Sequence, residues 1–153
     1  MYEDETFYFI SKGDPVSTIE RFISDYSLQP QLKEWEYPNS GENSEYVFHS
    51  FNEILGFLLK KGNVQYPFYF TNSEGDIFFV GVSLDGTIVF GIPFNGEEAI
   101  ELANVAKNYE AEYGYVVFAA FPELGGVQKF RWDDSYPIPV AYKDSTVTIV
   151  GNW

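Results

Sequence analysis

The chain has 153 residues, 45% of them hydrophobic, with 15 Phe, 12 Tyr and 3 Trp, enough to bury roughly 68–70% of its unfolded surface around one core. Cysteine is absent, which excludes a disulfide scaffold, a thiolate metal site, an iron–sulfur cluster and a thiol nucleophile. The 23 acidic and 9 basic residues give a formal net charge of −14, a surface that repels nucleic-acid phosphates and anionic membranes and attracts a basic protein partner.

In chain order, Met1 to Thr6 is acidic where a secretory signal is basic, and no apolar run reaches the ~18 residues of a membrane span, so a cytoplasmic protein is expected. Thr6 to Ile10 reads as a first strand. Asp14-Pro15 starts a helix, the Asp capping free N–H groups and the Pro tolerated at the first position, with Ile19, Phe22, Ile23 and Tyr26 on its apolar face. Gln29 to Ser44, with Pro30, Pro38 and Gly41, reads as a long loop with room for a short strand. Tyr46 to Phe48 is a candidate strand. Ser50 to Glu53 matches a capping box ahead of Ile54, Leu55, Leu58 and Leu59, and Gly62 closes that second helix.

Three strands follow, Tyr66 to Thr71, Ile77 to Leu84 and Thr87 to Phe94. Asp85-Gly86 marks a two-residue type I′ hairpin, and Ile77 to Leu84 is apolar enough to be covered on both faces. Asn95-Gly96 opens a third helix, with Glu97, Glu98 and Glu101 near its positive end and Ile100, Leu102, Ala103, Ala106, Tyr109 and Tyr113 as its packed side, closed by Gly114. Tyr115 to Phe121, Val127 to Trp132 and Ser145 to Val150 read as strands separated by proline-rich turns. The expectation is one α+β domain over 1–153, a mixed or mainly antiparallel sheet of about six strands with three helices packed on it.

Residues equipped for chemistry are few. The single histidine, His49, precedes a helix cap, where packing on Ile54 as a staple is its expected role; alone it supports neither a His-rich zinc site nor a catalytic triad. Ser83-Leu84-Asp85-Gly86-Thr87 resembles the D-x-D-G-T motif of haloacid-dehalogenase-like phosphatases. Ser83 stands where that family has its nucleophilic Asp, and a hairpin turn accounts better for Asp85-Gly86. Asn72, Glu74 and Asp76 alternate around Gly75 as calcium ligands do, without a bidentate acid at the EF-hand distance. Neither phosphate-binding glycine motif occurs, so no cofactor and no metal are expected.

Two clusters interleave aromatics with acids: Glu34, Trp35, Glu36 and Tyr37, then Trp132, Asp133, Asp134 and Tyr136. They fit contact patches for a basic protein, with stiff rings supplying area and carboxylates supplying charge. The alternative is a carbohydrate-active hydrolase or sugar-binding module with paired carboxylates and stacking rings. A third reading buries the Trp rings in the core and leaves the acids to solvate a loop. In size, charge and missing catalytic groups the chain resembles the small acidic immunity proteins with which bacteria neutralise toxins. That resemblance implies a non-enzymatic cytoplasmic inhibitor whose partner is a basic protein such as a toxin. A further reading is a structural subunit or homodimer in which surplus exposed aromatics form a self-complementary patch, so the chain is expected as a monomer or homodimer.

Overall fold

The computed structural model describes residues 5–38, 45–94, 99–118, 122, 124–130 and 140–149. Its elements are β1 (Glu5–Ser11), α1 (Pro15–Asp25), β2 (Gln29–Pro30), β3 (Trp35–Tyr37), β4 (Tyr46–Phe48), α2 (Phe51–Lys61), β5 (Tyr66–Thr71), β6 (Ile77–Val82), β7 (Ile88–Pro93), α3 (Ala99–Asn108), β8 (Ala111–Phe118), α4 (Val127–Phe130), β9 (Val140–Lys143) and β10 (Thr146–Ile149). Eight strands form one sheet in the order β10-β9-β8-β1-β7-β6-β5-β2, and β3 and β4 form a separate ribbon. Among the described residues every pairing is antiparallel.

This corrects the expectation of about six strands and three helices: the described residues hold ten strands in two sheets and four helices. The strands β2, β3 and β4 are only two or three residues long; β4 is the candidate strand Tyr46 to Phe48, whereas β2 and β3 fall in the stretch expected as a long loop with room for a short strand. Val127 to Trp132, expected as a strand, begins with the short helix α4, and its end lies outside the described residues. The third helix ends at Asn108, so Tyr113 and Gly114 belong to β8. Glu110 turns the chain with φ +51°, after which Ala111 to Phe118 pairs along the whole of β1.

Local chemistry accounts for the helix ends. The Asp14 carboxylate accepts from Ser17 N at 2.9 Å and Pro15 occupies the first helical position of α1. Ser50 Oγ accepts from Glu53 N at 3.4 Å at the start of α2, and Gly62 closes that helix with φ +71° and an N–H donated to Leu58 O.

The sheet is covered differently on its two faces. Phe7, Phe9, Phe68, Phe70, Phe78 and Phe90 point to the side carrying α1, α2 and α3, where Ile19, Phe22, Ile54, Leu58, Leu102 and Tyr109 meet them. Tyr8, Ile10, Phe79, Val89, Tyr115 and Val117 point the other way and pack with Phe130 of α4. Since successive side chains alternate, β1 is buried on both faces, with Phe7 and Phe9 at 0% exposure.

On the second face one cross-strand row runs Tyr69, Phe79, Gly91, Tyr8, Tyr115 and Ala141. A β-carbon at Gly91 would lie 2.7 Å from the Tyr8 ring and 2.9 Å from Phe79 Cβ, so the glycine is the space into which its neighbours lean. Gly114 has the same role on the helical face, where a β-carbon would lie 2.5 Å from the Phe7 ring. Overpacking at such a site costs about 1–3 kcal/mol. Gly91→Ala is therefore expected to lower the urea-unfolding free energy by that amount. Gly56→Ala, at an exposed helical position with nothing within 4 Å, should raise it by about 0.5–1 kcal/mol. A neutral Gly91→Ala would contradict this packing.

Candidate functional site

The first aromatic-acidic cluster becomes one strand of the β3–β4 ribbon. Trp35 faces Phe48, Glu36 faces Val47 and Tyr37 faces Tyr46. Trp35 is 5% exposed and packs its ring against Phe51 and Phe68, each at 6.3 Å. It anchors the ribbon in the core and supplies neither a contact surface nor a sugar-stacking platform.

Tyr37, Tyr46 and Phe48 gather around Phe57 of α2 at 5.1–5.2 Å, and Lys61 Nζ lies 5.7 Å from the Tyr37 ring centroid. The Tyr66 hydroxyl donates to the Glu36 carbonyl at 2.7 Å, tying the ribbon to β5. Burial raises the Tyr66 pKa, the nearby Glu36 charge adds to it, and the hydrogen bond opposes them. The phenol therefore stays protonated and able to donate at neutral pH.

Alternation then leaves Glu36 and Val47 on the face turned away from Phe57. Tyr46 is 49% exposed and Val47 47%; Glu34 and Glu45 are exposed and Glu36 half-buried. The ribbon thus brings Glu34, Glu36 and Tyr37 together with three residues absent from the sequence-based candidates, Glu45, Tyr46 and Val47. A signal for them existed in the three-residue alternation of Tyr46 to Phe48, which mirrors that of Trp35 to Tyr37. The second cluster, Trp132, Asp133, Asp134 and Tyr136, lies outside the described residues.

The other candidates take structural positions. His49 is exposed beside the Ser50 cap. Asn72 Oδ1 accepts from the backbone N–H groups of Glu74 and Asp76 at 3.0 and 2.9 Å, so this side chain holds the β5–β6 turn. Among the described residues no group of three or more His, Asp or Glu side chains is placed to hold a metal ion.

Asp85-Gly86 does form a hairpin turn, but a longer one than type I′. Gly86 N donates to Ser83 O, Ser83 N donates to Thr87 O, and only Gly86 is left-handed, at φ +85°. Those features describe a three-residue loop, Leu84 to Gly86, built as a type I turn with a glycine bulge.

Asp85 also reaches beyond its own turn. One carboxylate oxygen accepts from Thr87 N at 3.0 Å and the other from Val127 N at 2.9 Å, at the start of α4. Leu84 N and Gln65 Nε2 both donate to Leu124 O at 3.1 Å. Together these bonds strap residues 124–130 across the second face.

No family model, curated protein or solved structure matches this chain. The ribbon's paired strands, pinned from beneath by Trp35 and Phe57, turn Val47 and Glu36 outward with Glu34 and Glu45 exposed, and leave half of Tyr46 exposed on the Phe57 side.

The strap makes its own prediction. Desolvation acts to raise the Asp85 pKa, but the hydrogen bonds from Thr87 and Val127 outweigh it and hold the carboxyl below its ordinary 3.8. The folded value lies under the unfolded one, so the stabilisation is complete above the unfolded value and disappears as pH falls through the folded value. Asp85→Asn should flatten the acid limb of the stability–pH curve below about pH 4, and Asp85→Ala should cost about 1 kcal/mol at neutral pH. Acid limbs that coincide for wild type and Asp85→Asn would show that the strap does not depend on the ionised carboxylate.

Proposed function

We propose that this chain is a non-catalytic binding protein, an inhibitor or immunity factor, and that its β3–β4 ribbon docks on a basic protein such as a toxin. The observation that carries the reading is the ribbon face turned away from Phe57, where half-exposed Val47 lies opposite Glu36 with exposed Glu34 and Glu45 flanking the strands, while Tyr46 on the Phe57 side keeps half its surface exposed. Val47 and the exposed part of the Tyr46 ring, reached from the ribbon's two sides, contribute contact area, while the carboxylates beside Val47 steer a cationic surface into register. The net charge of −14 extends the same attraction over a longer range. Inhibition by occlusion needs no bond-making group, and such a factor would work in the cytoplasm beside its target.

The test is kinetic. A basic partner captured from lysate and then purified should associate more slowly as salt rises, because screening shortens the reach of the charges. Glu36→Lys should lower the on-rate severalfold and leave the off-rate nearly unchanged. Tyr46→Ala should mainly raise the off-rate, weakening binding by about tenfold or more if the ring is a hot spot. A complex insensitive to ionic strength and to both substitutions would overturn the proposal.

A further inference from the structure

A second site lies on the sheet face opposite the three long helices. The ladder between β6 and β7 stops at the Phe79–Gly91 pair. Pro93, at the end of β7, has no N–H with which to extend it, and Ile77 pairs with Thr71 of β5 on its other side. The gap is a cleft of about 210 Å³ lined by Tyr8, Tyr69, Phe79, Ile77, Pro93 and Asp76. That is below the roughly 300–1,000 Å³ that encloses a drug-sized molecule, and it suits a single side chain.

The lining chemistry selects the sign of the guest. The Tyr8 ring stands 5.6 Å from Phe79 at 88°, and the Tyr69 ring 5.4 Å from Phe79 at 66°, so three rings meet at steep angles. Tyr8 and Phe79 are buried and form the floor, so the half-buried Tyr69 is the ring a guest can reach, and the partial negative charge of its face attracts a cation on an apolar stem. Asp76 adds a carboxylate, one of whose oxygens accepts from Asn72 Nδ2 at 3.1 Å. Among the described residues no lysine or arginine lines the cleft, so from these residues a cationic guest would meet the Tyr69 ring and the Asp76 carboxylate without a competing positive charge.

We infer that this cleft receives one arginine or lysine side chain presented by a basic protein. The inference rests on the reading of a basic protein partner, but it concerns a site on the opposite face from the α2-packed ribbon. The alkyl stem would lie along Ile77 and Pro93, and the charged head would meet the Tyr69 ring and Asp76.

The experiment is an NMR titration of the intact protein with n-butylguanidinium and n-butylammonium, with n-butanol as the neutral control. The expected result is saturable shifts at Tyr69, Asp76 and Ile77 with the cations and not with the alcohol. Binding should weaken about fivefold in Asp76→Asn and more in Tyr69→Leu. Asp76→Asn, at an exposed turn position, keeps the test valid if Tyr69→Leu folds poorly.

A blocked tripeptide with a central arginine should bind at least as well as n-butylguanidinium. If the alkyl cation binds and the tripeptide is shut out, the guest is a free amine and the inference fails. Equal shifts with n-butanol, or no saturable shift, also overturn it. Glu36→Lys should leave the titration unchanged, so failure at the cleft and failure at the ribbon are read separately.

Discussion

The structure depends on large rings leaning into space left by glycines on both faces of one strand layer. β1 is paired with β7 on one side and β8 on the other, and it must bury Phe7 and Phe9 toward the helices and Tyr8 and Ile10 away from them. The Tyr8 and Phe79 rings fit because Gly91 and Gly81 carry no side chain beside them, and Phe7 fits because of Gly114. At the middle of the sheet the helical face repeats the theme without glycine, with Phe9 stacked on Phe90 and Phe22 of α1 set against both Phe90 and Tyr109. Close packing of this kind makes the centre intolerant of added volume.

Both candidate surfaces sit at the margin of that frame. The ribbon is held by Trp35 sunk among Phe51 and Phe68 and by Phe57 beneath Tyr37, Tyr46 and Phe48. The residues of β3 and β4 therefore divide their work: Trp35, Tyr37 and Phe48 fix the ribbon, Tyr46 packs on Phe57 with half its surface still exposed, and Val47 on the other face is left for a partner. The cleft arises where the aromatic row reaches strand ends that Pro93 keeps from pairing. In both places carboxylates border apolar surface, the combination that makes a basic protein the fitting partner.

Much of the frame was legible because it follows from local chemistry. Asp14-Pro15 and Ser50 to Glu53 mark helix starts by supplying oxygen acceptors to free N–H groups, and both caps are made. What stayed hidden depends on distant partners. Tyr113 continues the helical spacing of Tyr109, yet β1 recruits it into β8. Val127 begins a helix because Asp85, 42 residues earlier, offers its N–H an acceptor. The β9–β10 turn at Asp144-Ser145 takes positive φ at both residues, +46° and +71°, without the glycine that would have announced it. At the site, Glu34 to Tyr37 were readable as a cluster, but the burial of Trp35 depends on Phe51 and Phe68, and the recruitment of Tyr46 and Val47 depends on the pairing of β3 with β4.

The central claim is that the doubly covered strands form the stable frame and that the ribbon is carried on it as a less protected appendage. Residue-resolved amide hydrogen exchange of the free protein under native conditions tests it most directly. Phe7, Phe9, Val80 and Phe90 should fall in the slowest class, opening only with global unfolding, while Glu36 and Val47 should exchange through smaller openings. Ribbon amides as slow as those of β1, or β1 amides that exchange before the ribbon, would contradict the account.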